Sequence, residues 1–220
     1  MTAGAQARRL SVAVVGLGGV GGGAAGSLAA AGRHDIAACT RQPIARFTLE
    51  RAEGTVAAPL RMLTDPAQAK PVDWVLVCTK THQTAAAGPW LARLCTPATY
   101  VAVLQNGIDH VARVRPLAGG ASVVPVLIYF NGERLAPDRV RIRHAGPHDA
   151  VVADDDPGRA FINLFEGTSL RIIRSGDFAT LAWRNSGSRG PVRMRVWPAR
   201  AASGMSPSSA LATSASARRK

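Results

Sequence analysis

The apolar run Val12 to Val15 leads directly into the glycines Gly16, Gly18 and Gly21, and no other stretch of the 220-residue chain restricts its fold so tightly. A short run of small and β-branched residues followed by G-x-G-x-x-G reads as a strand, a tight turn and a helix start. Each glycine has a mechanical task in a dinucleotide site. Gly16 permits the turn, Gly18 lets backbone N–H groups approach a pyrophosphate, and Gly21 lets the helix lie close on the strand. The helix N-terminus then turns its partial positive charge toward phosphates.

The glycine pattern gains weight from its spacing to the next elements. Ala24 to Ala31 supplies a small-residue helix, Gly32 its stop and Ile36 to Cys39 a second strand, completing one βαβ unit. A site for NAD wants an acid at the end of that second strand. Thr40 and Arg41 stand there instead, and a guanidinium beside a hydroxyl suits the 2′-phosphate of NADP(H). Asp35 opens the strand and lies at its wrong end. Val12 to Gly32 is also an uncharged run of 21 residues preceded by Arg8 and Arg9, long enough for a membrane span or a signal peptide. Eight of those 21 are glycine and no bulky hydrophobic dominates, so the nucleotide reading is favoured and no membrane is expected.

With 47% hydrophobic residues the chain has enough apolar surface for a buried core. Cys39, Cys78 and Cys95 form no C-x-x-C and sit in or near apolar elements, as buried free thiols do, which fits a reducing cytoplasm. The net charge of +13 raises nucleic acid as a partner. Residues 186–220 hold seven of the basic residues and no acid, and setting them aside leaves +6, an ordinary surface for a protein with an anionic ligand.

Beyond Arg41 the pattern predicts a helix over Ile44 to Arg51 and a short apolar hairpin from Gly54 to Leu63. WVLVC at 74–78 is a strand buried on both faces. Lys80 follows at its carboxyl end, where open α/β sheets bind ligands, and is one of only three lysines against 24 arginines. A helix over 84–94 and a strand from Tyr100 to Leu104 come next. Gln105, Asn106 and Gly107 follow, an amide pair able to hydrogen-bond a nicotinamide or a substrate oxygen. Ile108 to Val114 reads as a helix. Ser122 to Phe130, Arg139 to Arg143, Ala150 to Ala153 and Leu170 to Ile173 read as strands, with turns at Asn131–Gly132 and Gly146–Pro147. His144 and His148 are loop histidines rather than a zinc pair. Asp154, Asp155 and Asp156 precede a helix and are explained by capping, so no metal is expected. Phe178 to Trp183 begins a last helix.

The order and spacing of GLGGVG (16–21), Arg41, CTK (78–80), QNG (105–107), HAGP (144–147) and AWR (182–184) resemble ketopantoate reductase, 2-dehydropantoate 2-reductase. The resemblance covers roughly residues 10–185. It implies an α/β fold with a Rossmann-type, doubly wound, mostly parallel sheet, and NADPH-dependent reduction of a small 2-oxo acid, ketopantoate, to pantoate. By resemblance Gly16, Leu17, Gly18, Gly19, Val20 and Gly21 hold the pyrophosphate and Arg41 the 2′-phosphate. Lys80 and Asn106 line the nicotinamide side, Asn106 also touching substrate.

The departure lies where the chemistry belongs. The family's general acid is a lysine in W-R-K, with an asparagine one helical turn on. Trp183 and Arg184 are here followed by Asn185, Arg189 stands at the asparagine position, and no catalytic residue is assigned. From 186 onward the sequence has eight serines, seven basic residues, no acid and no periodicity, and the family's helical C-terminal domain does not follow. Because the change falls inside an apolar helix, an altered reading frame explains it better than a basic tail for RNA. The expected organisation is an extension over 1–10, an NADP-binding domain over 11–176, the start of an interdomain helix over 177–185 and an unpatterned tail over 186–220. A non-catalytic NADP(H)-binding or RNA-associated protein is the alternative. Substrate identity and oligomeric state stay open.

Overall fold

The computed structural model describes residues 8–105 and 109–185. The chain divides into two units, Met1–Ser188 and Arg189–Lys220, and every described residue belongs to the first. In chain order its elements open with β1 (Ser11–Val15), α1 (Gly19–Ala31), β2 (Asp35–Cys39), β3 (Thr48–Arg51), β4 (Gly54–Ala57) and β5 (Arg61–Leu63). Next come β6 (Trp74–Val77), α2 (Gly88–Leu94), β7 (Tyr100–Val103), α3 (His110–Val114), β8 (Ser122–Pro125) and β9 (Leu127–Ile128). The last are β10 (Asn131–Ala136), β11 (Arg139–Arg143), β12 (Ala150–Ala153), α4 (Asp156–Leu164), β13 (Ile172–Ser175) and α5 (Phe178–Asn185).

The main sheet has the order β5-β2-β1-β6-β7-β8, parallel throughout. Chain order reverses direction between β1 and β6, which makes their carboxyl ends the switch point of a doubly wound Rossmann-type sheet. Alternate residues feed two cores. Val12 and Val14 face one that includes Leu28 and Leu76, while Ala13 and Val15 face another with Val75, Leu91 and Val101. Burial on both sides is why these strands read as continuous apolar runs.

A second sheet, β10-β11-β3-β4, packs across α1 and explains glycines that the nucleotide motif leaves over. A Cβ on Gly22 would stand 2.5 Å from Val140 Cγ2 and one on Gly23 2.7 Å from Ile142 Cγ2, both on β11. Sandwiched between two sheets, α1 is buried from Gly21 to Ala29 and ends at Gly32 (φ +70°), whose N–H donates to Ala29 O. No helix among the described residues is long and apolar enough to cross a membrane.

Three local expectations are corrected. Residues 44–51 are not helical. Thr48–Arg51 is β3, which forms an antiparallel hairpin with the adjacent β4 and pairs in parallel with β11 some ninety residues later, so strand pairing on both sides overrides the local helical pattern. Asn131–Gly132 is no turn but the start of β10, and the glycine is required because its backbone lies against that of Gly19. The strand expected over Ser122 to Phe130 is two, β8 in the main sheet and β9 in a third sheet, β13-β12-β9.

The amino edge of the main sheet is held by polar clamps. Asp73 accepts from Ser11 N and Oγ, both at 2.8 Å, and from Arg8. Burial alone would raise its carboxyl, but these donors outweigh it and the pKa lies below the usual value. Buried His34 accepts from Leu10 N at Nδ1 (3.3 Å) and donates from Nε2 to Leu164 O (3.1 Å), which requires the neutral ring. Burial, the largest influence, lowers its pKa below 6.5. The unfolded chain therefore binds the proton more readily, and stability present above about pH 6.5 is lost as pH falls through the lower folded value. The melting temperature is expected to drop between pH 7.5 and 5.5. His34→Asn, with no titrating ring, should be less stable at pH 7.5 but flatter over that range. A wild-type slope retained in the variant would show that other groups carry it.

Candidate nucleotide site

Because the main sheet is parallel, the carboxyl ends of its strands share one edge. The register matches Val15 with Cys39 and Val77, and Val77 with Val103. Gly16, Arg41 and Lys80 follow β1, β2 and β6 within three residues and so come to that edge together. Asn106, also assigned to this edge, lies outside the described residues, as do 186–220.

Gly16 has φ +100°, a conformation that L side chains rarely adopt, and a Cβ there would lie 2.9 Å from Thr79 N. The turn is thus wedged against the first residues after β6. Gly21 packs its Cα against Gly16 O and the side chain of Cys78, the close helix-to-strand approach expected of the third glycine. Gly18, the N-cap of α1, has nothing within 4 Å of where a side chain would begin. No side chain caps the helix. The N-terminus of a thirteen-residue helix is therefore open at Gly18 and carries no side-chain cap, although Gly19 lies against Gly132 of β10; an uncapped helix start of this kind suits a pyrophosphate. Leu17 is buried, while Gly19 and Val20 are half-buried in the first turn.

Arg41 and Lys80 are exposed, and among the described residues neither side chain makes a hydrogen bond or ion pair. Thr40 departs from expectation. Its hydroxyl donates to Gln42 O at 2.8 Å, so it offers a phosphate lone pairs rather than a proton, and the guanidinium stands as the donor at this corner. Asp35 opens β2 at the opposite edge, bonded to Arg9 at 2.7 Å. The amide of Gln105 is turned inward, donating to Thr79 Oγ1 and Thr84 Oγ1 rather than facing the crevice that a doubly wound sheet leaves outside the carboxyl ends of its strands at the switch point.

The remaining chemistry-bearing residues are structural. Asp155 caps α4 by accepting from Gly158 N at 2.8 Å, and Asp154 pairs with Arg174. Burial raises the pKa of all three cysteines, Cys39 to about 12 and Cys95 to about 11, so they persist as thiols. His144 is more than a loop residue. Its Nδ1 lies 2.6 Å from Asp149 Oδ1, and Asp149, fully buried, also accepts from Arg171 N at 2.8 Å and Arg171 Nε at 3.2 Å. A lone acid immediately before a buried strand, as Asp73 precedes WVLV, was the signal available for Asp149.

Residues 12–156 match the family model described as ketopantoate reductase PanE/ApbA. The chain belongs to the ketopantoate reductase family. It is 39% identical over 174 residues to a 2-dehydropantoate 2-reductase of Caulobacter vibrioides, covering 79% of this chain and 59% of that one. With a Mycobacterium tuberculosis relative of the same name the identity is 35% over 175 residues, covering 79% and 58%. The chain thus spans about three fifths of the length of the curated relatives it matches. Among solved structures, a PanE/ApbA family ketopantoate reductase from Ralstonia eutropha superposes with a TM-score of 0.69 at 25% identity, covering 79% of this chain and 59% of that one. A 2-dehydropantoate 2-reductase from Geobacter metallireducens, at 20% identity, shares the fold with a TM-score of 0.70 and coverage of 79% and 60%.

Proposed function

We propose that this chain binds NADP(H) along the carboxyl edge of its parallel sheet, preferring it to NAD(H). The observation that carries the reading is the uncapped N-terminus of α1 behind an open Gly18, with Arg41, whose side chain has no partner among the described residues, two residues beyond β2. The glycine turn would hold the pyrophosphate, Arg41 the 2′-phosphate, and Lys80 and Asn106 the nicotinamide side. When bound, the cofactor would supply a hydride, and the names of the relatives support a 2-oxo acid, 2-dehydropantoate, as the acceptor. We propose further that the chain as it stands does not turn this substrate over. Asn185 closes α5 where the resemblance expects a lysine, and an amide does not donate a proton to a developing alkoxide, a role worth about 10²–10⁴ in rate.

Fluorescence titration with NADPH and NADH tests the binding. NADPH should bind the more tightly, and Arg41→Ala should weaken it about tenfold to a hundredfold while leaving NADH nearly unchanged, since only one carries the 2′-phosphate. Tighter binding of NADH would overturn the preference. In the same preparation, oxidation of NADPH on adding ketopantoate would overturn the assignment of the missing acid.

A further inference from the structure

The crevice is organised by a side chain outside the glycine motif. Gln105, just past β7, is buried, and its Nε2 donates to Thr79 Oγ1 at 3.0 Å and to Thr84 Oγ1 at 3.1 Å. Both amide hydrogens are thereby used. The Thr84 hydroxyl donates onward to Thr81 O at 2.9 Å. One carboxamide therefore ties both ends of the segment 79–84 to the neighbouring strand. Thr79 is pinned a second time from the other side, where its backbone abuts Gly16.

Lys80 sits one residue from this double pin and has no partner of its own among the described residues. A lysine is a point charge on a flexible stem, so its reach is set by where its backbone is held. We propose that Gln105 is a positioning residue for the nucleotide site: it locks Thr79 between the strand end and the Gly16 turn and so aims the Lys80 ammonium into the crevice. The proposal rests on the NADP(H) reading above.

The test is a mutant cycle read by NADPH titration, with thermal unfolding as the check on folding. Lys80→Ala should weaken binding about tenfold in the wild-type background, as loss of one charge-assisted contact does. Gln105→Leu should weaken it similarly, and the double variant should be no more than about threefold worse than either single one. Gln105→Leu should also flatten the salt dependence of Kd as Lys80→Ala does, an effect that a merely structural loss would not produce. If Lys80→Ala costs the same factor in both backgrounds, the proposal is overturned while the nucleotide reading stands. If wild-type protein binds no NADPH, the nucleotide reading itself fails. Should Gln105→Leu not fold, Thr79→Val removes only the amide's acceptor in the crevice wall, and its cycle with Lys80→Ala decides by the same criterion.

Discussion

Replacing Asp149 with alanine is expected to lower the unfolding free energy by about 3 kcal/mol, the low end of what breaking a buried charged network costs. The carboxylate is fully buried and accepts from a backbone N–H, a guanidinium and an imidazole. Alanine strands Arg171 N, while the side chains of His144 and Arg171 are part-exposed and can turn to water, which keeps the loss from being larger. In a domain of this size the melting temperature should fall by about 6–12 °C. Asp149→Asn should cost less. It can keep an oxygen toward Arg171 and offer its NH₂ to Nδ1 of a neutral His144, exchanging tautomer for charge. Burial pushes the Asp149 carboxyl up, but hydrogen bonds from Arg171 and His144 outweigh it and hold the pKa below 3.8. The charge-dependent part of its stabilisation is therefore complete above about pH 4 and lost as pH falls through the folded value. The gap between wild type and Asp149→Asn should close in acid. Equal melting temperatures for wild type and alanine variant near neutrality would remove Asp149 from any account of the third sheet.

The second large effect is expected at Gly19. A methyl group there would collide with the carbonyl oxygen of Gly132, and the same contact seen from β10 sets a Gly132 side chain against the backbone of Gly19 and Val20. Both obstacles are main chain, so no rotamer change relieves them. Gly19→Ala should destabilise by about 2 kcal/mol even after the roughly 1 kcal/mol that alanine gains over glycine in a helix. It should also weaken NADPH binding more than tenfold, because the displaced first turn carries the N–H groups proposed to hold the pyrophosphate. Gly26→Ala is the control. The three atoms nearest its Cβ would all belong to the Leu49 side chain, at 3.1–3.4 Å, so a shift of a few tenths of an ångström by that side chain offsets the helix-propensity gain and the net change should be close to zero. If the two variants melt together, the Gly19–Gly132 contact is not tight in solution.

The carboxyl edge proposed for the nucleotide was legible as a structure because its constraints are local. A strand, three spaced glycines and a cation after the next strand occupy thirty consecutive residues, and the parallel register then delivers Lys80 to the same edge. What the sequence concealed is set by partners far along the chain. Residues 44–51 carry apolar spacing compatible with a helix, but Thr48–Arg51 is a strand that pairs with the nearby β4 and, on its other side, with the distant β11. Gly22, Gly23 and Gly26 look like low complexity until the side chains that press on them are in place. Gln105 and Asp149 look like loop polars, since nothing local shows that Thr79, Thr84 and Arg171 will close around them. The preference for a cation over an acid after β2 could be read, but not that Thr40 spends its proton on Gln42.

The sandwiching of α1 also bears on the order in which the molecule can assemble. Five of its thirteen residues are glycine and no side chain caps it, so as an isolated segment it is a poor helix, each glycine costing about 1 kcal/mol against alanine. Its helicity must come from docking, and β10 and β11, about a hundred residues downstream, supply one side of what it docks against. During synthesis the amino-terminal strand and the phosphate turn therefore emerge long before the sheet that closes over them. The turn that would grip a nucleotide is therefore expected to become rigid only once β10 and β11 are in place against α1.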